Sequence, residues 1–144
     1  MGHTSVVLGI PPTQLELRPI GHGRIEATLR STGLDASLVI HDLSGAGTFG
    51  DLNALVGAFE QLVEDWSTRI GQREHVWHSE DHELTFSVLS DQVGHISLLT
   101  EMAEPLQEGW RTQVEIMLEA GALPRHAQDI KALIEGLSTL SPEQ

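Results

Sequence analysis

The chain contains no cysteine. That absence alone excludes disulfides, thiolate nucleophiles, thiolate zinc sites and iron–sulfur ligation. Positive charge is scarce: eight lysines and arginines face twenty-one aspartates and glutamates, for a formal charge of −13, and Lys131 is the only lysine. Nucleic acid and anionic membrane would be repelled by such a surface, whereas a basic protein would be drawn to it. No apolar run approaches the ~18 residues needed to span a bilayer. The first residues, MGHTSVVLGIPP, lack the basic start and apolar core of a signal peptide, so a cytoplasmic protein is expected. Aromatics are few, at 4%, and none interleaves with a basic patch as nucleic-acid readers require.

What is present is the material of one folded domain. At 144 residues and 40% apolar content the chain suffices for a single core. Its first forty residues alternate with period two. Leu15 and Leu17 oppose Gln14, Glu16 and Arg18; Ile25, Ala27 and Leu29 share a face; Ala36, Leu38 and Ile40 share another. Turn residues between these runs indicate antiparallel hairpins with one solvated face. The period then changes. Leu52, Leu55, Val56, Phe59, Leu62, Val63 and Trp66 form one helical stripe, with Thr48 and Asp51 spaced as a capping box.

Alternation returns after the helix. Leu84, Phe86 and Val88 point inward, as do Ile96 and Leu98. In the long run 109–121, Trp110, Thr112, Val114, Ile116 and Leu118 face the core. Arg111, Gln113, Glu115 and Glu119 face solvent, with Met117 the one apolar exception on that side. A second amphipathic helix carries Leu123, Ala127, Ile130, Leu133, Ile134 and Leu137, with Pro124 in its first turn. The expected fold is α+β in the order ββββ-α-ββββ-α. About eight antiparallel strands, strongly curved or sandwich-like, are packed by two helices, and 139–144 form a frayed tail.

The segment EHVWHSEDHE, residues 74–83, concentrates three histidines and four carboxylates. Three-residue spacing on a strand sends His75 and His78 to opposite faces, so they should not share an ion. A set of His78, His82 and one carboxylate remains the alternative, but the helical H-E-x-x-H pattern is absent. The simpler expectation is a polar hairpin. His3, His22, His41, His95 and His126 are scattered. The glycines of SGAGTFG precede a helix but lack the G-K-[ST] ending of a phosphate loop, and no G-x-S-x-G nucleophile elbow occurs. All three tryptophans are expected in the core; an exposed one would be a binding anchor.

Residues 50 to 138 carry a further signal: a helix LVGAFEQLVEDW, a hairpin VWHSEDHELTFSV, then VGHISLLTEM and GWRTQVEIMLEAGAL, and a last helix. Trp66, Trp77, Gly94-His95, Trp110 and the Glu119–Gly121 triplet mark it. This layout resembles a family of small uncharacterised bacterial proteins and is similar to the WapI-type immunity proteins, the antidotes of polymorphic toxins. The resemblance implies a non-enzymatic binding protein that neutralises a cognate toxin, with no cofactor. It carries over no catalytic motif.

An acidic surface complementary to a basic toxin domain is consistent with that role. The expected contact residues are Glu80, Asp81 and Glu83 at the hairpin tip and Glu115 and Glu119 on the long strand. A DNA-mimic inhibitor of a nucleic-acid-binding protein is the main competing expectation, and a small metal-binding domain built on the 75–83 hairpin is another.

Overall fold

A computed structural model describes residues 5–21, 24–41, 50–79, 82–104 and 109–138 of the chain. The expected cap residue Thr48, the 44–49 glycine-rich stretch and the 139–144 tail lie outside them.

Two four-stranded antiparallel meanders form. The first runs β1 (Val6–Ile10), β2 (Thr13–Gly21), β3 (Arg24–Ser31), β4 (Leu34–His41), and each strand pairs with the next. Its register stacks the apolar residues in rows across the sheet. Leu8 lies opposite Leu15, and Leu15 opposite Leu29; Val6 lies opposite Leu17, and Leu17 opposite Ala27. This is the outcome of alternation: one inward row per two residues, all of it withdrawn from water. Ala36 and Leu38 on the edge strand β4 are only partly buried, while Ile40 is fully in the core.

Helix α1 (Gly50–Asp65) follows, continued by a 3₁₀ turn over Trp66–Thr68. Its stripe does what the spacing demands. Leu52, Leu55, Val56, Phe59 and Leu62 are buried, with Val63 and Trp66 packed at the margin. The second sheet is β5 (Glu74–His78), β6 (Leu84–Ser90), β7 (His95–Ala103) and β8 (Arg111–Glu119), again in sequence order. A 3₁₀ turn at Ala120–Ala122 leads into α2 (Leu123–Ser138). The expected ββββ-α-ββββ-α order and α+β class hold, with the strands divided between two sheets.

The sheets meet along β1 and β8, and α2 packs across α1, β1 and β2. One hydrophobic cluster draws on both sheets and both helices. Gly9 makes the junction possible. Its φ is +104°, and a Cβ there would lie 2.5 Å from Ile116 Cγ2 and 2.6 Å from the Thr13 carbonyl oxygen. Only glycine allows both the backbone conformation and the approach.

Among the described residues no helix is long and apolar enough to cross a membrane. The tryptophans divide. Trp77 is buried against Phe86, with ring centroids 5.3 Å apart, and Trp66 packs at the core margin. Trp110 departs from the expectation. It is 36% exposed because it precedes β8 rather than belonging to its alternating run.

Candidate protein-binding face

The second sheet buries one side. Leu84, Phe86, Val88, Ile96, Leu98, Met102, Ile116 and Leu118 all point to the core. The opposite side is therefore fixed by parity, and the register sorts it into rows. His78, Thr85, Glu101 and Gln113 line up; so do His75, Ser87, Leu99 and Glu115; then Leu89, Ser97 and Met117; then His95 and Glu119. Carboxylates occupy the β7–β8 side, with His95 among them, and His75 and His78 stand on β5.

Glu115 and Glu119 stand where alternation places them, with side chains 51% and 58% exposed. Each is steadied by neighbours. The Ser97 hydroxyl donates to Glu115 Oε2 at 2.9 Å, and Arg73 Nη2 approaches the same oxygen at 3.6 Å. His95 Nε2 lies 3.6 Å from Glu119 Oε2, and Arg111 Nε lies 3.7 Å from Glu101 Oε2. Asp91 closes one end. Its Oδ1 accepts from the backbone N–H groups of Val93 and His95, both at 2.9 Å. Those donors, His95 first, hold its carboxyl below the ordinary value. The sequence pattern did not single out Asp91 or Ser97 for this face; an Asp two residues before a turn's free N–H is the local signal that identifies the first.

Glu83 does not belong to this surface. Only 6% of it is exposed, and its Oε1 accepts the Ser79 hydroxyl at 2.7 Å. The same Ser79 oxygen accepts the Leu84 N–H at 3.1 Å. The chain reverses at His82, whose φ is +59°, so Glu83 enters β6 turned away from water and outside the parity that governs the strand. Glu80 and Asp81 lie outside the described residues.

The hairpin histidines also depart from simple alternation. β5 carries a bulge: His75 faces Ser87 and Trp77 faces Phe86, leaving Val76 as the extra residue. The bulge restores His78 to the side of His75. Their Nε2 and Nδ1 atoms share a hydrogen bond of 2.9 Å, and the His82 ring stacks on His78 at 4.0 Å with an 11° tilt. Nearly parallel ring planes share no nearby point, so His78 and His82 do not direct their in-plane lone pairs at a common ion. Among the described residues no three histidine or carboxylate groups form a set able to hold a metal. Of the other scattered histidines, His3 and His22 lie outside the described residues, as does Asp42 beside His41.

Two clefts flank β8 on this side. One, of about 220 Å³, runs between Leu89, Asp91, His95, Ser97 and Met117. The other, of about 160 Å³, lies at the sheet junction between Val7, Ile10, Met117, Glu119, Arg125 and His126. His126 is 5% exposed, and its Nδ1 has no hydrogen-bond partner among the described residues. Burial first, and the Arg125 charge next, depress its basicity below the ordinary histidine value, so the ring is neutral at pH 7.

A comparison with curated proteins finds no match. The family model of DUF6228 matches residues 20–136, which span β3 through most of α2 and so take in the whole second sheet, while β1 and most of β2 precede the match. The chain belongs to DUF6228, a family of unknown function.

Proposed function

We propose that this chain is a non-enzymatic, acidic binding protein that neutralises a cognate toxin by direct contact in the cytoplasm of the producing cell. The outward face of the second sheet is its contact surface. One observation carries this reading: Glu101, Glu115 and Glu119 stand on the solvated side of one hydrogen-bonded sheet, in a chain of net charge −13. Carboxylates fixed on a sheet meet a basic partner with little further ordering cost, and the net charge accelerates encounter at low salt. The resemblance of the sequence layout to the WapI-type immunity proteins supports the antidote role. A basic toxin domain, such as one acting on nucleic acid, is the complementary partner.

Growth rescue tests it. The product of the gene upstream is expressed in a heterologous host with and without this chain, and survivors are counted. Restored growth is expected, with rescue weakened by the double substitution Glu115→Lys and Glu119→Lys. A harmless neighbour, or rescue untouched by charge reversal at both positions, would overturn the assignment.

A further inference from the structure

Met117 is the apolar exception on the outward side of β8, and it is 45% exposed in the middle of that side. It is an unbranched thioether in the open, on a strand side that otherwise presents only polar and charged residues. Its position is more specific than exposure. Met117 is the wall common to both clefts, one toward β7 and one toward β1. Across the second cleft stand Val7, 43% exposed, and Ile10, 59% exposed. The apolar surface therefore continues from Leu89 over Met117 to β1, and each cleft is roomy enough for a branched aliphatic side chain.

The rim of this patch is charged. Asp91, Glu115 and Glu119 stand around it against Arg73 and Arg125, and Arg73 is already committed to Glu115. A second copy of the chain fits badly. It would bring the same carboxylates face to face and join two bodies of −13 each. An apolar centre inside a carboxylate-rich rim instead matches the anatomy of a protein interface whose partner supplies cations around aliphatic anchors. Methionine suits the centre, because its flexible, polarisable side chain adapts to what is pressed against it.

We infer that Met117 is the apolar anchor of this face, and that its partner is a cationic protein segment seating aliphatic side chains in the clefts on either side. This rests on the acidic-binding reading above and adds the apolar requirement to it.

The test uses two capped peptides, Arg-Leu-Arg-Leu-Arg and Arg-Ser-Arg-Ser-Arg, titrated at low salt into the full chain with ¹³C-methyl-labelled methionines. Met102, fully buried, serves as the internal control for the fold. The expected result is a saturating shift of the Met117 methyl with Met102 unmoved, and binding of the leucine peptide at least about tenfold tighter. Met117→Ser should abolish that advantage while leaving the Met102 signal in place. Equal affinity for both peptides would overturn the apolar anchor and leave the electrostatic reading standing. A leucine advantage that survives Met117→Ser would also overturn it. Binding of neither peptide would sink the acidic-binding reading itself, and the anchor with it.

Discussion

Gly9 and Ile116 touch where the two sheets cross: a Cβ on Gly9 would fall 2.5 Å from Ile116 Cγ2. The candidate face depends on this contact, because the second cleft is bounded by β1 on one side and β8 on the other. Closing that distance requires a residue with no side chain and a positive φ. Gly9→Ala should therefore cost about 3 kcal/mol or more, combining an overpacked contact with a left-handed alanine. Chemical denaturation measures it. A loss under about 1 kcal/mol would mean that the junction yields easily and that the cleft is soft.

A second tie joins α1 to the second sheet. Arg69 grips Asp65 with two bonds, Nε to Oδ1 at 2.8 Å and Nη2 to Oδ2 at 3.0 Å, and reaches Glu74 at the start of β5 with Nη1. The hydrogen bonds from Arg69 are the main reason the Asp65 carboxyl lies below its ordinary value. A carboxyl depressed in the folded state contributes stability that is present above its unfolded value, 3.8, and is lost as pH falls through the folded value. Arg69→Gln should destabilise the fold by about 1–2 kcal/mol at neutral pH. The deficit should shrink in acid, and denaturation midpoints at pH 6 and pH 3 compare the two conditions.

The helices and most strand faces were readable because their signal is periodic. A stripe such as Leu52 to Trp66 has one geometric solution, and so has the inward row Val114, Ile116, Leu118. The parity of Glu115 and Glu119 follows from the same rule. What was not readable is what breaks a period without changing composition. The β5 bulge adds Val76 to one side of a pair, and nothing in EHVWH distinguishes it from a regular strand, so His75 and His78 were expected on opposite faces. Glu83 departs from its expected place at the hairpin surface for a related reason. The left-handed turn at His82 resets the face, and the compensating partner, Ser79, is polar enough to look like more loop. Trp110 has the parity of the inward row but lies one residue outside β8.

Glu83 offers a direct contrast with the exposed carboxylates. Its side chain is enclosed and satisfied by Ser79, so its replacement acts on folding rather than on binding. Glu83→Lys would bury an unpaired cation and should destabilise by about 3 kcal/mol. Glu83→Gln keeps an oxygen to accept the Ser79 hydroxyl and should cost far less. Glu115→Lys, on the open face, should change stability by under about 1 kcal/mol. Urea unfolding of the three variants ranks them. Equal stability of Glu83→Lys and Glu115→Lys would restore Glu83 to the surface.

His126 gives the fold an acid-side weakness with a predictable sign. Burial depresses its basicity below the ordinary 6.5, and its Nδ1 lacks a partner among the described residues. Below pH 6.5 the unfolded chain takes up a proton that the folded chain resists, so stability falls as pH falls, at no more than about 1.4 kcal/mol per pH unit for one proton. Above that value the contribution is constant. His126→Leu removes the titration and the orphan nitrogen together while keeping an apolar group beside Phe59, whose ring lies 6.3 Å away. The stability of the variant relative to the parent should rise as pH falls from 7.5 to 5.5. The two proteins differ only at this position, so the difference between their stability curves isolates His126. Parallel curves would mean that His126 is solvated well enough to accept its proton in the folded state, and that the cleft beside Met117 is wet.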